Sequence, residues 1–334
     1  CASTANLETG IEIHVEISRR GLLRRNIFLG SALVDMYAKC GFLVKAQAVF
    51  DTLEARNVVT WTSLISGYAQ YNYGEKALEY FEQMRFNGIS PNLFTYACSL
   101  KACASIGAIE MGIRIHDEIS SKGLLNADIC IGNMLINMYT KFGMFSKVQS
   151  VFNALPNRNI ITWTALISGY VQHGHGKVAL QYFEKMQAKG ISPDVIAYAC
   201  SLKACASIGA IEKGAEIHSE IDHNKLLSTD PTISCALIDM YSKCRCLDEA
   251  YKVLDGMPMK DIVSWSSLIC GYTKHECFSS AMSMYEKMGT IIKIYLIRSL
   301  YNLRMKESHL AMSHLSAYET LIVQLSSQGM TIEE

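Results

Sequence analysis

The sequence predicts an all-α fold built from stacked helix-turn-helix units, a solenoid, and three observations support it. Tryptophan recurs every 102 residues, at Trp61, Trp163 and Trp265. The block Tyr96–Glu110 returns unchanged as Tyr198–Glu212. Apolar residues recur with helical spacing, and no segment shows the alternation typical of a strand. An internally duplicated chain of helical units accounts for all three observations.

Composition sets the outer limits on function. The chain has 334 residues, half of them apolar, which excludes wholesale disorder, and equal numbers of basic and acidic side chains, 31 of each. A zero formal charge excludes a protein that holds nucleic acid by bulk charge alone. No apolar run is long enough to cross a bilayer, so we expect no membrane association. The chain opens at Cys1 rather than Met, and we expect a fragment whose targeting segment would lie upstream.

The 102-residue period divides into three units of 35, 36 and 31 residues. Cutting at the recurring starts predicts a partial long unit at 1–26 and tandem hairpin repeats over 27–290. The individual units are 27–57, 58–92, 93–128, 129–159, 160–194, 195–230, 231–261 and a degenerate 262–290. The pattern then fails, and 291–334 is predicted to be a helical cap or a degenerate extension.

Each unit is predicted to be a helical hairpin, and the unit 58–92 illustrates the reason. Its two helical faces are outlined by Trp61, Ile65, Tyr68, Ala77, Leu78, Phe81 and Met84. Thr60 is placed to cap the first helix. Gly88 and Pro91 then close the unit, in the order that a helix terminus favours. A single hairpin cannot bury both apolar faces, so the units must stack.

The repeated text resembles a known family. VTWTSLISGYAQYNYGEKALEYFEQMRFNGISPN and ITWTALISGYVQHGHGKVALQYFEKMQAKGISPD resemble the ordinary motif of the pentatricopeptide-repeat family. KACASIGAIEMGIRIH is similar to its long motif, and NMLINMYTKFGMFSKVQSVFNALPNRN to its short one. The resemblance implies the subclass that alternates ordinary, long and short motifs, and a right-handed α-solenoid (superhelix). It also implies binding of single-stranded RNA in plant mitochondria or chloroplasts, about one base per unit.

The resemblance further implies which residues read the RNA. In the family, the fifth and last residues of a unit read the base and the second packs on its ring. Carried over, the pairs are Ser31 with Asn57 and Thr62 with Asn92 for adenine, Asn133 with Asn159 for cytosine, and Thr164 with Asp194 for guanine. Ser266 is a fifth residue whose expected partner position holds Leu296. The second-position residues are Phe28, Val59, Phe94, Ile161 and Val263.

The remaining units are expected to select bases weakly. The long units carry alanine at the fifth position, Ala97 with Asp128 and Ala199 with Asp230, and alanine forms no hydrogen bond. Cys235 with Asp261 departs from the common pairs. The expected footprint, read 5′ to 3′, is A-A-n-C-G-n-n-purine.

Other interpretations compete with these assignments. The three tryptophans could stack on bases, but their apolar partners favour helix packing. His14, His116 and His218 recur at the same period but lie too far apart to share a metal ion, so a structural role is expected. Without the resemblance, Thr62 and Thr164 would be interpreted as good first-turn residues, and Asn92 and Asp194 as turn residues after proline. Twelve cysteines without a Cys-x-x-Cys pair predict free, mostly buried thiols.

The predicted function is a sequence-selective RNA-binding adaptor without catalysis or cofactor. The zinc-deaminase elements His-x-Glu and Pro-Cys-x-x-Cys are absent from the sequence. Any editing or deaminase activity would come from a missing C-terminal domain or from a separate protein, and the chain is expected to be a monomer. The alternative is a helical scaffold that binds a protein, which the zero net charge favours. Lys39, Lys141 and Lys243 follow the same 102-residue period. If these lysines face the RNA, they would supply local positive charge although the net charge of the chain is zero.

Overall fold

The computed structural model describes residues 4–23, 26–126, 128–224, 226–228, 230–257 and 260–288. These residues form helices and no strand, which confirms the predicted all-α solenoid class. The chain divides into two compact units, Cys1–Ala204 and Cys205–Glu334, which are described separately below. The cap or extension predicted at 291–334 lies outside the described residues. No helix among those described is long and apolar enough to span a bilayer.

The first unit is a series of helical hairpins. Its helices are α1 (Thr4–Arg19), α2 (Ile27–Lys39), α3 (Leu43–Thr52), α4 (Val58–Gln70), α5 (Gly74–Phe86), α6 (Leu93–Ile106), α7 (Ile109–Ser121), α8 (Ile129–Lys141), α9 (Phe145–Ala154), α10 (Ile160–Gln172), α11 (Gly176–Ala188) and most of α12 (Val195–Ile208). Each of α2, α4, α6 and α8 packs on its own second helix and on the next first helix, and α10 packs on α11, so α2, α4, α6, α8 and α10 form one continuous row.

The second unit repeats this arrangement. It holds α13 (Ile211–His223), α14 (Pro231–Lys243), α15 (Leu247–Gly256), α16 (Ile262–Lys274) and α17 (Phe278–Lys287). Helix α14 packs on α15 and on α16, and α16 packs on α17. From α2 onward, every first helix begins at a residue where the sequence was cut into units.

Helix ends follow from local chemistry. The cap of α4 is Asn57, whose Oδ1 accepts the Thr60 N–H at 2.9 Å, so the expectation that Thr60 caps this helix is wrong. Thr60 is the third helical residue, and its hydroxyl instead accepts the Asn57 N–H. At the end of α5, Gly88 adopts φ 73° and Ile89 N–H bonds to Met84 O at 3.1 Å. This closure requires a left-handed residue, and glycine adopts that conformation without strain.

The periodic tryptophans are packing residues, as predicted. Trp61, Trp163 and Trp265 are 3%, 5% and 7% exposed. Trp61 meets Phe50 edge-on, with ring centroids 4.7 Å apart, and Trp163 meets Phe152 in the same way at 4.9 Å. Edge-on contacts of this kind add to the free energy of simple area burial. A base therefore has no access to these rings in either unit.

The periodic histidines are structural, also as predicted. The Nδ1 atoms of His14, His116 and His218 lie 2.8–2.9 Å from the hydroxyls of Tyr37, Tyr139 and Tyr241, respectively. Each bond joins the second helix of a long unit to the first helix of the following short unit. Burial lowers the pKa of all three histidines. The described residues contain no cluster of side chains able to hold a metal ion.

The cysteines differ from expectation. Among the described residues, only Cys98, Cys103 and Cys205 are buried, so the prediction of mostly buried thiols is wrong. Several of the others occupy helix ends at hairpin turns, where one side of the chain meets solvent; examples are Cys40, Cys244, Cys246 and Cys277.

Candidate nucleic-acid interface

Most of the first helices expose an apolar side chain at their second position. In the first unit Val59 and Ile161, at the second position of α4 and α10, are 51% and 58% exposed. In the second unit Val263, at the second position of α16, is 53% exposed. Apolar side chains left in solvent at one repeated position offer a surface on which a flat ring can pack. Phe28 and Phe94 are exposed at the same position.

The fifth residues are buried beside this row. In the first unit Ser31, Thr62, Asn133 and Thr164 are each less than a tenth exposed. Ser266, in the second unit, is only half-buried, and its hydroxyl donates to Val263 O at 2.9 Å. A short polar side chain that is packed on all sides by its neighbours presents its hydrogen-bonding atom in a fixed direction. Selective recognition of a ligand requires such a fixed direction.

The last residue of each ordinary or short unit is the N-cap of the following first helix. Asn57, Asn92 and Asn159 have ψ of 177°, and the Oδ1 of each accepts the N–H three residues later. Asp194 does the same with Ala197 N–H at 2.7 Å. In the second unit Asp261 accepts the Ser264 N–H at 2.8 Å. The structure therefore gives each of these last residues a capping role that does not depend on RNA.

The cap fixes which atom of the last side chain remains available. Asn92 Oδ1 accepts both the backbone N–H and the hydroxyl of Thr95, each at 2.8 Å. With its oxygen engaged, the asparagine presents the amide NH₂, a donor, to solvent. An aspartate at this position, such as Asp194, presents its second carboxylate oxygen, an acceptor. Capping therefore occupies one polar atom of the side chain and leaves the other one available to a ligand.

The structure brings most of the predicted pairs together. Ser31 Oγ lies 3.4 Å from Asn57 Oδ1, and Thr164 Oγ1 lies 3.4 Å from Asp194 Oδ1. Thr62 reaches Asn92 through Thr95, because the two threonine hydroxyls lie 2.7 Å apart.

Two pairs are bonded differently. Asn133 Oδ1 is buried with no hydrogen-bond partner among the described residues, so it is an acceptor without a donor. An unsatisfied acceptor of this kind costs free energy unless a ligand supplies the donor. In the second unit, Cys235 Sγ lies 4.0 Å from Asp261 Oδ1, and burial raises its pKa to about 11. Cys235 is therefore a neutral thiol and a weak donor.

Long units end with a different cap. Asp128 has ψ 119° and accepts the N–H of Cys130, two residues later, rather than three. In the second unit Asp230 has ψ 115° and accepts the Thr232 N–H. A short 3-10 helix precedes each of these caps, at Leu124–Asn126 and Leu226–Ser228. The aspartate of a long unit thus points differently from the last residue of the other units, and the alanine at the fifth position has no hydrogen-bonding side chain. The long units therefore lack a pair of polar side chains at these two positions.

Sequence reasoning missed two features of this surface. Ile196, at the second position of α12, is 59% exposed like its equivalents and belongs with them. The hydroxyl at the third position of a unit, as in Thr60 and Thr95, bonds to the fifth residue of the preceding unit and links it to the last residue of that preceding unit. The place of Ile196 as second residue of the unit 195–230 would have been enough to predict it as a member of this set. The hydroxyl bridges depend on the packing of neighbouring hairpins.

Comparison with known proteins decides the family. The PPR repeat family model matches residues 56–105 and 158–207, and the PPR repeat model matches 31–58, 133–160, 234–262 and 263–290. Together these matches cover more than half of the chain. The chain belongs to the pentatricopeptide-repeat family.

Similar pentatricopeptide-repeat proteins are found in Arabidopsis thaliana. A chloroplastic member is 35% identical over 86% of this chain and 46% of its own length. A mitochondrial member is 34% identical over 87% of this chain and 46% of its own length. The chain thus spans about half the length of the curated relatives it matches.

Solved structures agree on the fold. The crystal structure of the pentatricopeptide repeat protein PPR10 in complex with an 18-nt psaJ RNA element superposes with a TM-score of 0.72 at 18% identity. The match covers 95% of this chain and 49% of PPR10. PPR10 from maize, in a further crystal structure, gives a TM-score of 0.57 at 16% identity over 88% of this chain and 48% of that one.

Proposed function

We propose that this pentatricopeptide-repeat chain binds single-stranded RNA selectively, with one base read by each ordinary or short unit. The observation that carries the proposal is the engagement of the last side chain. Because Oδ1 of Asn57, Asn92 and Asn159 is held by the helix cap, each amide NH₂ faces solvent as a donor. A donor suits the unprotonated ring nitrogen on the Watson–Crick edge of adenine or cytosine. The carboxylate of Asp194 suits the N–H donors of guanine.

The other pair members divide these classes further. Ser31 and Thr62 carry a hydroxyl beside an asparagine, for adenine. Asn133 with Asn159 reads cytosine, whose exocyclic amine would supply the donor that the buried Asn133 Oδ1 lacks. Thr164 with Asp194 reads guanine. The long units contribute no pair, so the footprint A-A-n-C-G-n-n-purine has unspecified positions where they occur. The second-position residues Val59, Ile161 and Val263 would pack on the bases.

The relatives support a proposal for the cellular role. PPR10 has been crystallised with an RNA element, and the curated relatives carry chloroplastic or mitochondrial in their names. We place this chain in a mitochondrion or chloroplast, as an RNA-binding adaptor in editing, processing or stabilisation of a transcript. In this role the chain is a monomer and not an enzyme, and a separate editing or deaminase protein supplies the chemistry.

Fluorescence anisotropy with a labelled RNA of the footprint tests the proposal. The parent chain should bind the footprint more tightly than a scrambled RNA of the same composition. The double variant Thr164→Asn with Asp194→Asn should prefer cytosine over guanine at the fifth base. Each correct pair should contribute about 1–3 kcal/mol of discrimination, as good base contacts do. Equal, weak binding to every RNA would refute base reading and favour the alternative of a protein-binding scaffold.

A further inference from the structure

The exposed face of each first helix extends beyond the reading residues. At about 100° per residue, the ninth and thirteenth positions of a helix lie within about 20° of the direction of the second. They follow it by roughly 10 and 16 Å along the axis. In α6, Phe94 at the second position and Lys101 at the ninth are both exposed. In α8, Cys130 at the second position and Lys141 at the thirteenth are also exposed. Side chains at these positions therefore continue the surface on which the bases would lie.

This surface is basic in the middle of the first unit, although the chain as a whole is neutral. From α4 to α12 the ninth and thirteenth positions within that unit hold no carboxylate. They are Ser66, Gln70, Lys101, Ser105, Asn137, Lys141, Ser168, Gln172 and Lys203. The three lysines are exposed, and none forms an ion pair with another described residue. Lys101, Lys141 and Lys203 are referred to below as the lysine strip.

Two lysines at the equivalent thirteenth position outside the strip are neutralised within their own helices. In α2, Lys39 Nζ lies 2.6 Å from Asp35 Oδ2, four residues earlier. In the second unit, Lys243 of α14 makes the same contact with Asp239 at 2.7 Å. Lys141 occupies the same position in α8, but the residue four before it is Asn137, which carries no charge. Asparagine in place of aspartate four residues earlier therefore leaves Lys141 without an ion pair, whereas Lys39 and Lys243 are paired.

We propose that the lysine strip binds the phosphates of the single-stranded RNA, and that Asp35 and Asp239 hold their lysines away from it. This rests on the proposed RNA-binding function and adds the backbone contact that base reading does not supply. Each cation that neutralises a phosphate releases a counterion, so a few unpaired lysines produce a salt-dependent affinity even where net charge is zero. The strip lies along α6 to α12, so backbone contacts concentrate near the cytosine and guanine of the footprint.

Affinity measured against salt concentration tests the strip. The triple variant Lys101→Gln, Lys141→Gln, Lys203→Gln removes exposed charge without touching a reading residue. With a slope of about 0.7 per phosphate contact on single strands, its plot of log affinity against log salt should be shallower by about 2. Between 50 and 200 mM salt the parent should therefore lose about 18-fold more affinity than the variant. The loss should be equal for footprint and scrambled RNA.

Matched variants test the paired lysines. Asp35→Asn frees Lys39 and should steepen the salt dependence by about 0.7. Asp35→Asn with Lys39→Gln removes the neutral pair and should leave the slope unchanged. An unchanged slope in the triple variant would overturn the strip, even where the chain still discriminates footprint from scrambled RNA. A reduced slope without discrimination would instead retain the strip and overturn base reading. No binding of either RNA by the parent at 50 mM salt would overturn both.

Discussion

Replacing Asn92 separates the two roles assigned to the last residue of a unit. Its Oδ1 accepts two bonds from Thr95, so its amide NH₂ is the atom left for a base. Asn92→Asp keeps the capping oxygen and changes the outward group from donor to acceptor. The second base of the footprint should then change from adenine to guanine. A mismatched polar contact costs about 1–3 kcal/mol, so the preference should change by roughly 5- to 150-fold.

The same change should leave the fold intact. Asparagine and aspartate cap helices about equally well, and a negative charge at the N-terminus of α6 adds about 0.3–1 kcal/mol of stability. We therefore expect the thermal midpoint of Asn92→Asp, followed by circular dichroism, to equal or slightly exceed that of the parent. Asn92→Ser keeps a cap but is too short to reach a base, so it should retain stability and lose selectivity. Asn92→Ala removes the cap, so it should lose about 0.5–2 kcal/mol of folding stability in addition to selectivity.

Anisotropy with RNAs that differ only at the second base completes the assay. Parent and Asn92→Asp should rank adenine and guanine in opposite order, while Asn92→Ser should not distinguish them. The reasoning fails if Asn92→Asp keeps the parent's preference with an unchanged thermal midpoint, because the outward atom would then have changed without effect. It also fails if Asn92→Ser unfolds as readily as Asn92→Ala.

The remaining predictions concern packing and pH. Burial lowers the pKa of His116 in the folded chain, so the unfolded chain binds a proton at this histidine more readily. The folded state is therefore favoured above the ordinary histidine pKa of about 6.5, and this stability is lost as the pH falls below that value. His116→Gln should lower the thermal midpoint at pH 7.5, and the gap from the parent should narrow at pH 5.5; a gap that widens would contradict the sign. Gly67→Ala would place its Cβ 2.7 Å from Ala38 Cβ and cost about 1–3 kcal/mol, whereas Gly256→Ala meets nothing and should cost nothing in the same thermal assay.

The repeat made the fold predictable from sequence, and local chemistry made the helix starts predictable. An asparagine or aspartate before each apolar pattern is a start signal that needs no tertiary information, and the helices begin directly after Asn57 and Asn92. The error at Thr60 arose because both members of a capping box are good caps by residue type. Only the backbone geometry shows that Asn57 occupies the extended cap position.

Contacts between hairpins were less predictable. His116 and Tyr139 share the 102-residue period, but nothing in the sequence pairs them across 23 residues. Lys39 and Lys141 share the same period too, yet only one is paired. That difference was readable from the residue four positions earlier, since i, i+4 neighbours meet on a helix surface. Periodicity therefore identified equivalent positions, and neighbouring residues decided what each one does.

The residue types at the unit ends bear on whether reading or capping explains them. A cap needs one acceptor oxygen, which serine and threonine also supply. A reader that also caps needs a second polar atom beyond the capping oxygen, and among the good caps only asparagine and aspartate have one. Among the described residues, each N-cap that ends an ordinary or short unit is one of these two: Asn57, Asn92, Asn159, Asp194 and Asp261. The long units, which hold no reading pair, also end in a capping aspartate, at Asp128 and Asp230, so residue type alone does not separate capping from base reading. Capping and the proposed base reading then depend on different atoms of one side chain, so exchange between asparagine and aspartate should alter base preference while the helix cap is kept.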